Sequence, residues 1–252
     1  VGEGPGVFID ASAAPLRVHG LGFGGSVELR DLVIDAGGAT EAALVVENCA
    51  APVVVDGCIL LAVNGPAARV SGAVGVAFQR SQATGVPGLA LESGAAASIC
   101  GGATTDATVD AGSKLRTVGA TLGTVTTDPS SSHVAYQGAA ALLDAPAASL
   151  IGGVCGVGIS AAPSLPWVLL ASVGLAYTPP AGIVEMPVLL DLAALQILIT
   201  GTTNVAGADV FPILVPPMPQ LVGFSLAFQA VVVDGMAGTV RLSSVASSSI
   251  VG

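Results

Sequence analysis

The chain has 252 residues, of which 10 % are charged and 52 % are hydrophobic, and its formal net charge is −10. The scarcity of basic residues argues against nucleic acid as a partner, and the hydrophobic content argues against a disordered chain. Proline and acidic residues interrupt the apolar stretches before they reach the roughly 18–20 residues that a membrane helix needs, so no membrane span is expected.

Short strands separated by turns are predicted from the start of the chain. The sequence starts at Val1 with neither an initiator Met nor a charged-then-apolar leader, which favours a processed or partial chain. Strand-like segments occupy Val7–Asp10 and Leu16–His19. The spaced glycines of residues 20–25 lack the strand, helix and acidic residue of a dinucleotide-binding site, and they predict a turn instead.

The stretch from Val27 to Leu61 predicts strands most clearly. It reads V-E-L-R-D-L-V-I-D, then A-L-V-V-E-N-C, then P-V-V-V-D-G-C-I-L-L, and a polar or Gly-containing corner closes each apolar run. Similar runs follow at Ala68–Ser71, Val74–Ser81, Leu89–Ser93, Ser98–Gly101, Thr108–Ala111 and Leu115–Val118. Equivalent runs recur at roughly 18–24 residues, which is typical of a solenoid whose units bury their apolar sides against one another.

A solenoid with three short strands per coil predicts Val, Ile, Leu, Ala and Cys on the inside. The predicted outward residues are Glu28, Arg30, Glu47, Asp56, Arg69, Gln79, Arg80 and Glu92. The pattern V-E-L-R-D-L-V-I…L-V-V-E-N-C…P-V-V-V-D-G-C-I-L resembles the right-handed parallel β-helix of the pectate-lyase-like superfamily. The resemblance covers about the first half of the chain, and it implies a fold without implying one activity.

The composition changes between Thr124 and Ala148, and a domain boundary is predicted near Asp144–Leu150. The predicted domains are a parallel β-helix over residues 1–146 and an antiparallel β-sandwich over residues 147–252, so the fold class is all-β. Prolines punctuate the longer strands of the second domain, as is typical of strand edges and connections. These strands are predicted at Gly156–Ala161, Trp167–Val173, Met186–Asp191, Leu195–Thr200, Gly223–Asp234 and Thr239–Ser243.

The second half also carries a resemblance. The run F-P-I-L-V-P-P-M-P-Q-L-V-G-F-S-L-A-F-Q-A-V-V-V-D at Phe211–Asp234, with R-L-S-S-V at Arg241–Val245, resembles a small C-terminal β-sandwich module. Such modules occur in large secreted or surface proteins of environmental bacteria, so the resemblance implies an extracellular or cell-surface location. The Gly-Cys-Pro-Gly of that family is matched only in part by residues 153–156, and its second Cys is absent, so its disulfide is not carried over.

The four cysteines, Cys49, Cys58, Cys100 and Cys155, form no C-x-x-C pair and have no His at metal-ligand spacing, which disfavours zinc. Cys49 and Cys58 each follow a strand run. Two interpretations stay open for them: a stack of buried free thiols, or a disulfide, which a secreted origin would favour.

Catalytic candidates are few. His19 and His133 lie outside any Ser-His-Asp or G-x-S-x-G context and are interpreted as solvated turn residues. Carbohydrate cleavage would need two carboxylates on one groove. The candidate carboxylates are Asp31, Asp35, Glu47, Asp56, Glu92, Asp106 and Asp110.

Asp35 and Asp56 each lie where a strand meets a corner. They are candidates for an acidic cleft or a Ca²⁺ site, although the capping of turns is the stronger interpretation. The scattered Arg30, Arg69 and Arg80 are suited to balancing nearby acids. The phenylalanines of this half that could stack on sugars are Phe8, Phe23 and Phe78. No catalytic residue, cofactor site or metal ligand is therefore assigned.

The function expected from these observations is structural. A solenoid has two open ends that must be covered, and Val1–Pro15 contains no pattern of an amphipathic capping helix. Low charge and high apolar content predict a non-enzymatic structural protein that self-assembles into a homo-oligomer, filament or coat, and the resemblance of the second half implies that it is secreted or lies at the cell surface. The alternative is an extracellular β-helix protein that binds or cleaves polysaccharide, with a cell-surface glycan as its partner.

Overall fold

The computed structural model describes residues 7–235 and 238–252, and nearly all of its regular structure is β-strand. The chain divides into two compact units, the first ending at Gly138 and the second beginning at Ala139. Short 3₁₀ turns occur at Leu192–Ala194 and Pro219–Leu221. Within the described residues, no helix is long and apolar enough to cross a membrane.

The first unit is built from short strands that repeat in groups of three. In chain order they are β1 (Val7–Asp10), β2 (Leu16–His19), β3 (Val27–Arg30), β4 (Leu32–Asp35), β5 (Leu44–Glu47), β6 (Val53–Asp56), β7 (Ile59–Leu61), β8 (Ala68–Ser71), β9 (Val74–Gln79), β10 (Gln82–Thr84), β11 (Leu89–Glu92), β12 (Ala96–Cys100), β13 (Ala103–Thr104), β14 (Ala107–Val109), β15 (Lys114–Val118), β16 (Thr121–Leu122), β17 (Val125–Thr127) and β18 (Ser132–Tyr136).

Every third strand joins the same sheet. Sheet A contains β1, β4, β7, β10, β13 and β16 in that order, sheet B contains β2, β5, β8, β11, β14 and β17, and sheet C contains β3, β6, β9, β12, β15 and β18. All pairings within these sheets are parallel. Three parallel six-stranded sheets, each receiving one strand per coil, are consistent with a parallel β-helix.

The core of this unit consists of side-chain ladders that run from coil to coil. In sheet B the register places Leu44 beside Ala68 and Ala68 beside Leu89, and in sheet C it places Val55 beside Phe78. All five residues are buried in one hydrophobic cluster. Because side chains alternate across a strand, every second residue contributes to this interior. The small side chains suit a narrow interior between three sheets.

The corners between sheet C and sheet A use left-handed backbone conformations. Asp31, Gly57, Arg80 and Gly101 occupy equivalent corners with φ values of 53°, 62°, 50° and 69°. The N–H of Asp31 donates to the carbonyl of Asp56 in the next coil at 3.0 Å, and the other corners repeat this bond. The corners at Asp31 and Gly57 each divide one apolar run into two strands, so V-E-L-R-D-L-V-I-D forms β3 and β4. The prediction of one strand per run is wrong at these two corners.

The second unit contains longer strands in three sheets. Its strands are β19 (Leu142–Asp144), β20 (Ala148–Leu150), β21 (Val154–Ser160), β22 (Pro166–Ser172), β23 (Leu175–Thr178), β24 (Val188–Leu190), β25 (Gln196–Thr202), β26 (Ala208–Leu214), β27 (Ser225–Asp234) and β28 (Thr239–Val251). Sheet D has the order β19-β21-β26, sheet E has the order β20-β28-β27-β22-β25, and sheet F pairs β23 with β24. The pairings are antiparallel, except that β20 runs parallel to β28.

One hydrophobic cluster joins sheets D and E. It includes Val157 and Ile159 from β21 together with Leu169 from β22 and Phe228 from β27. The structural division precedes β19, whereas the sequence places the domain boundary after that strand. The reason is that β19 pairs with β21 and so belongs with the second unit.

An aromatic contact stabilises the centre of this cluster. Trp167 is buried, and its ring centroid lies 4.5 Å from that of Phe211 at an interplanar angle of 31°. Gly201 of β25 lies directly across from Trp167, and a Cβ at that position would be 2.2 Å from the indole Cζ2. Glycine is required at Gly201 because the indole ring occupies the space of a side chain.

Candidate functional site

The two acidic residues singled out in the sequence, Asp35 and Asp56, lie in different sheets. Asp35 ends β4 in sheet A, and its Oδ1 accepts a hydrogen bond from the N–H of Gly37 at 2.7 Å, which makes it a turn cap. Asp56 ends β6 in sheet C. Asp31 and Asp110 are exposed at corners. Across residues 7–235 and 238–252, no three His, Cys, Asp or Glu side chains are grouped so as to hold a metal ion.

Asp56 and Gln79 are buried, although the sequence predicts both as outward residues. Their exposed fractions are 0 % and 2 %. They are register partners on neighbouring strands of sheet C, at the end of β6 and the end of β9. Their neighbours Val55 and Phe78 belong to the core, so both residues hold the predicted outward positions. An outward position on a strand therefore does not by itself give solvent exposure.

Two arginines from adjacent coils neutralise the buried Asp56. Nε and Nη2 of Arg80, in the following coil, donate to its two carboxylate oxygens at 2.9 and 2.5 Å. Arg30, in the preceding coil, places Nε 3.8 Å from Oδ2 and also binds Glu28 through Nη2. A buried carboxylate is costly unless it is paired in this way. The cluster therefore links three coils, and Arg30 and Arg80 balance nearby acids as the sequence suggests.

Exposed charge pairs lie along the outward side of sheet B. Arg17 lies 3.2 Å from Glu41 and 3.4 Å from Glu47, and Arg69 lies 3.9 Å from Glu92. Exposed pairs of this kind contribute at most about 1 kcal/mol each to stability. Arg17 and Glu41 were not among the outward residues predicted from the sequence. The position of Arg17 between the inward Leu16 and Val18 could have predicted its outward orientation.

Both histidines belong to strands, so their interpretation as turn residues is wrong. His19 ends β2 beside Glu47 in the sheet B register. His133 lies in β18, and its Nε2 is 3.1 Å from the hydroxyl of Thr117. Burial lowers the pKa of His133 below its usual value. The Thr117 hydroxyl is itself buried, so this pair is not placed to attack a substrate.

Two further carboxylates fasten turns of neighbouring coils. Asp106 accepts a hydrogen bond from the N–H of Thr124 at 2.8 Å. Asp128, which sequence reasoning did not single out, accepts bonds from the hydroxyl and N–H of Ser130 and from the N–H of Ala111. These bonds, with that from the Ser130 hydroxyl first, lower the pKa of Asp128 to about 2. The Asp-Pro-Ser-Ser sequence was the available signal for this cap.

All four cysteines are free and buried, so the disulfide interpretation of Cys49 and Cys58 is wrong. The thiol of Cys49 donates to the carbonyl of Glu47 at 3.3 Å, and that of Cys58 donates to the carbonyls of Leu29 and Asp56 at 3.4 Å. Each thiol thus satisfies backbone carbonyls at a corner. Burial raises the pKa of Cys58 to about 11.

The native chain is expected to resist thiol-modifying reagents. At pH 8 a pKa of about 11 leaves roughly one Cys58 in a thousand as the reactive thiolate. Titration with an aromatic disulfide reagent should therefore detect far less than one thiol per native chain, and four in denaturant. Fewer than four thiols in denaturant without reductant would contradict the free-thiol state.

The three phenylalanines of the first unit are not grouped for sugar stacking. Phe8 and Phe23 are exposed, whereas Phe78 is buried in the core. Phe8 instead joins an outward apolar ladder on sheet A with Val33 and Ile59.

The first coil leaves part of its interior uncovered within the described residues. Four of its core-facing or core-adjacent side chains, Ile9, Leu16, Val27 and Leu29, are only partly buried. Their register partners in the second coil, Ile34, Leu44, Val53 and Val55, are fully buried. Strands β1, β2 and β3 form this end of the three sheets.

Strand β25 forms an exposed edge of sheet E. It pairs with β22 on one side and is the last strand of the sheet. Its sequence, Q-I-L-I-T-G-T, has no charged residue and no proline. Ile197, Leu198 and Ile199 are all exposed, Ile197 to 70 %. A long apolar edge strand of this kind is a template for pairing with another strand.

A scan against protein-family models gives no match to this chain. A search of the curated proteins also gives no match. The function is therefore inferred from the surfaces and side-chain contacts described above.

Proposed function

We propose that the chain is a secreted or cell-surface structural subunit that self-assembles, and that it acts without catalysis. In this proposal the first unit is a right-handed parallel β-helix of the pectate-lyase-like superfamily, and the second is an antiparallel β-sandwich module. Assembly uses the end of the first coil and the edge of the second unit. The unprotected edge strand β25 is the observation that carries the proposal.

Other edges of the second unit have the protection that β25 lacks. Strand β26, which ends sheet D, contains Asp209 and Pro212, and proline offers no N–H for a further strand. The opposite edges, β19 and β20, have three residues each. Natural proteins protect long edges that are meant to stay single. An edge with three consecutive exposed apolar residues is therefore suited to association.

The end of the first coil supports the same proposal. Its partly exposed apolar side chains lie beside the strand edges of β1, β2 and β3, where another molecule would continue all three sheets. Such contact between different surfaces is heterologous, and it propagates into a filament when its rotation does not close into a ring.

The alternative function, binding of an extracellular polysaccharide, is favoured by the exposed charges on sheet B. Arg17, Arg69 and their glutamate partners present donors and acceptors on one outward surface. Glycan-array binding that is lost in Arg69→Ala would favour this alternative. The same variant leaves assembly unchanged if the structural proposal holds.

Replacing Ile197 with Lys is expected to weaken assembly. The charge would have to be desolvated at the new interface, so the dissociation constant should rise about tenfold or more, which corresponds to at least roughly 1.4 kcal/mol. Val210→Lys is the matched control, because Val210 lies on edge strand β26 with an exposure of 72 % against 70 % for Ile197.

Sedimentation velocity over a concentration series and electron microscopy measure the effect. The wild type and Val210→Lys should associate, and Ile197→Lys should shift toward monomer. A wild type that stays monomeric at every concentration would contradict the structural proposal.

A further inference from the structure

We propose that β25 pairs antiparallel with β25 of a second copy, about a two-fold axis, so that the two copies of sheet E become one continuous sheet. This inference rests on the proposed function and specifies the partner and the geometry of one assembly contact. The strand meets its own equivalent, and every contact at the interface occurs twice.

The charges of the second unit argue against an acidic partner. The second unit contains one basic residue, Arg241, and that side chain is buried against Glu185, so the unit offers no exposed cation to attract an acidic partner. Strand β25 itself is uncharged. When two copies approach in antiparallel orientation, no like charges of the strands lie opposite each other.

The geometry of edges also selects β25 as its own partner. Extension of a sheet needs a strand of comparable length with free N–H and C=O groups. Within the described part of the second unit, the other sheet-ending strands are short, except for β26 with its proline. In the first unit, β1, β2 and β3 have four residues each and carry charges. The seven-residue β25 is therefore matched best by another β25.

A bulge locates the axis along the strand. The register between β22 and β25 shifts between Leu169 and Leu170, which leaves Leu198 without a partner. Bulges bend a strand and disturb pairing on both of its edges. The regular part runs from Ile199 to Thr202, where Val168 pairs with Thr200. The two-fold axis is therefore expected between Ile199 and Thr202.

Pairing of this type would cover the exposed apolar side chains of β25 as well as its backbone. About an axis between Ile199 and Thr202, residues that precede the axis in one copy would face residues that follow it in the other, and Ile199 would lie close to the centre of the new strand pair. The interface closes after two copies, so growth into a filament would need a second surface, such as the end of the first coil. Higher salt should strengthen the contact, because both copies carry net negative charge that salt screens.

A cysteine scan of β25 tests the inference in the full-length chain. Single Cys variants at Gln196, Ile197, Leu198, Ile199, Thr200 and Thr202 are oxidised mildly, and disulfide-linked dimers are quantified on non-reducing gels. The native cysteines are buried and do not interfere. Gly201 is left unchanged because a side chain there would meet Trp167. Val210→Cys on β26 is the control.

Antiparallel pairing about an axis brings a residue close to its own equivalent at one position only, within the 4.4–6.8 Å between Cα atoms that a disulfide needs. The expected result is one maximum between Ile199 and Thr202, several-fold above Val210→Cys. Equal yields at every position would indicate parallel in-register strands and overturn the inference. If no Cys variant forms a cross-link although the wild type still associates, the inference alone is overturned. A strictly monomeric wild type would overturn the proposed function as well.

Discussion

Arg241→Met is expected to lower the free energy of unfolding of the second unit by about 3–5 kcal/mol, because it leaves a buried carboxylate without its partner. Nε of Arg241 lies 2.7 Å from Glu185, and both side chains are 7 % exposed. Nη1 of Arg241 also donates to the carbonyl of Ala139 at 2.9 Å. The arginine thus holds the segment before β24 and the start of the second unit against β28.

Guanidinium unfolding followed by fluorescence measures this loss, because Trp167 is the single tryptophan and lies in the second unit. The matched control is the double variant Glu185→Met with Arg241→Met, which removes both charges. It should recover part of the lost stability, since an apolar pair often replaces a buried ion pair at little cost. If the free energy of unfolding of Arg241→Met lies within about 1 kcal/mol of the wild-type value, Glu185 needs no partner, and the expectation is contradicted.

Trp167→Ala is expected to destabilise the second unit by about 3–5 kcal/mol, the range for deleting a large buried aromatic side chain. The indole is 2 % exposed, stacks on Phe211 and fills the space over Gly201. Its removal opens a cavity between sheets D and E at the point where β25 joins the sheet. The loss should therefore extend to the exposed edge.

Far-UV circular dichroism during denaturation measures this variant, since the fluorophore is lost. Trp167→Phe keeps an aromatic ring against Phe211 and should lose markedly less stability than Trp167→Ala. Gly201→Ala tests the same contact from the other side, because its Cβ would lie 2.2 Å from the ring. Equal stability of the Ala and Phe variants at Trp167 would contradict a specific packing role for the indole.

The strands predicted best from sequence are those with the strongest apolar periodicity. Val7–Asp10, Leu16–His19 and Ala68–Ser71 begin and end in the structure where the pattern predicts. Their β-branched residues and clear polar borders leave little freedom of assignment. The recurrence of such runs also predicted stacked parallel strands, which the three sheets confirm.

Several strands could not be predicted because their local sequences carry little signal. Strands β13 and β16 have two residues each, and β10 reads Q-A-T. Hydrogen bonds from neighbouring coils, and not local propensity, place these residues in a sheet. The corners at Asp31 and Arg80 could not be predicted either, because a left-handed backbone conformation is uncommon for residues other than glycine.

The candidate sites show the same division. The capping role of Asp35 follows from its place at a strand end, and the sequence favoured it. The burial of Asp56 does not follow from its neighbours in the chain, because its partners Arg30 and Arg80 lie one coil before and one coil after it. The position of β25 at the edge of a sheet could likewise not be predicted from the sequence, although its apolar residues were predicted as a strand.

Short stacked strands followed by longer ones can be predicted from the sequence, because apolar periodicity and polar corners are local properties. The sheet to which each strand belongs, the burial of particular charged residues and the strand that ends a sheet are visible only in the folded chain. These outcomes depend on hydrogen bonds and contacts between residues that are distant in the chain. For this protein the exposed edge at β25, and with it the proposed mode of assembly, is a property of that long-range arrangement.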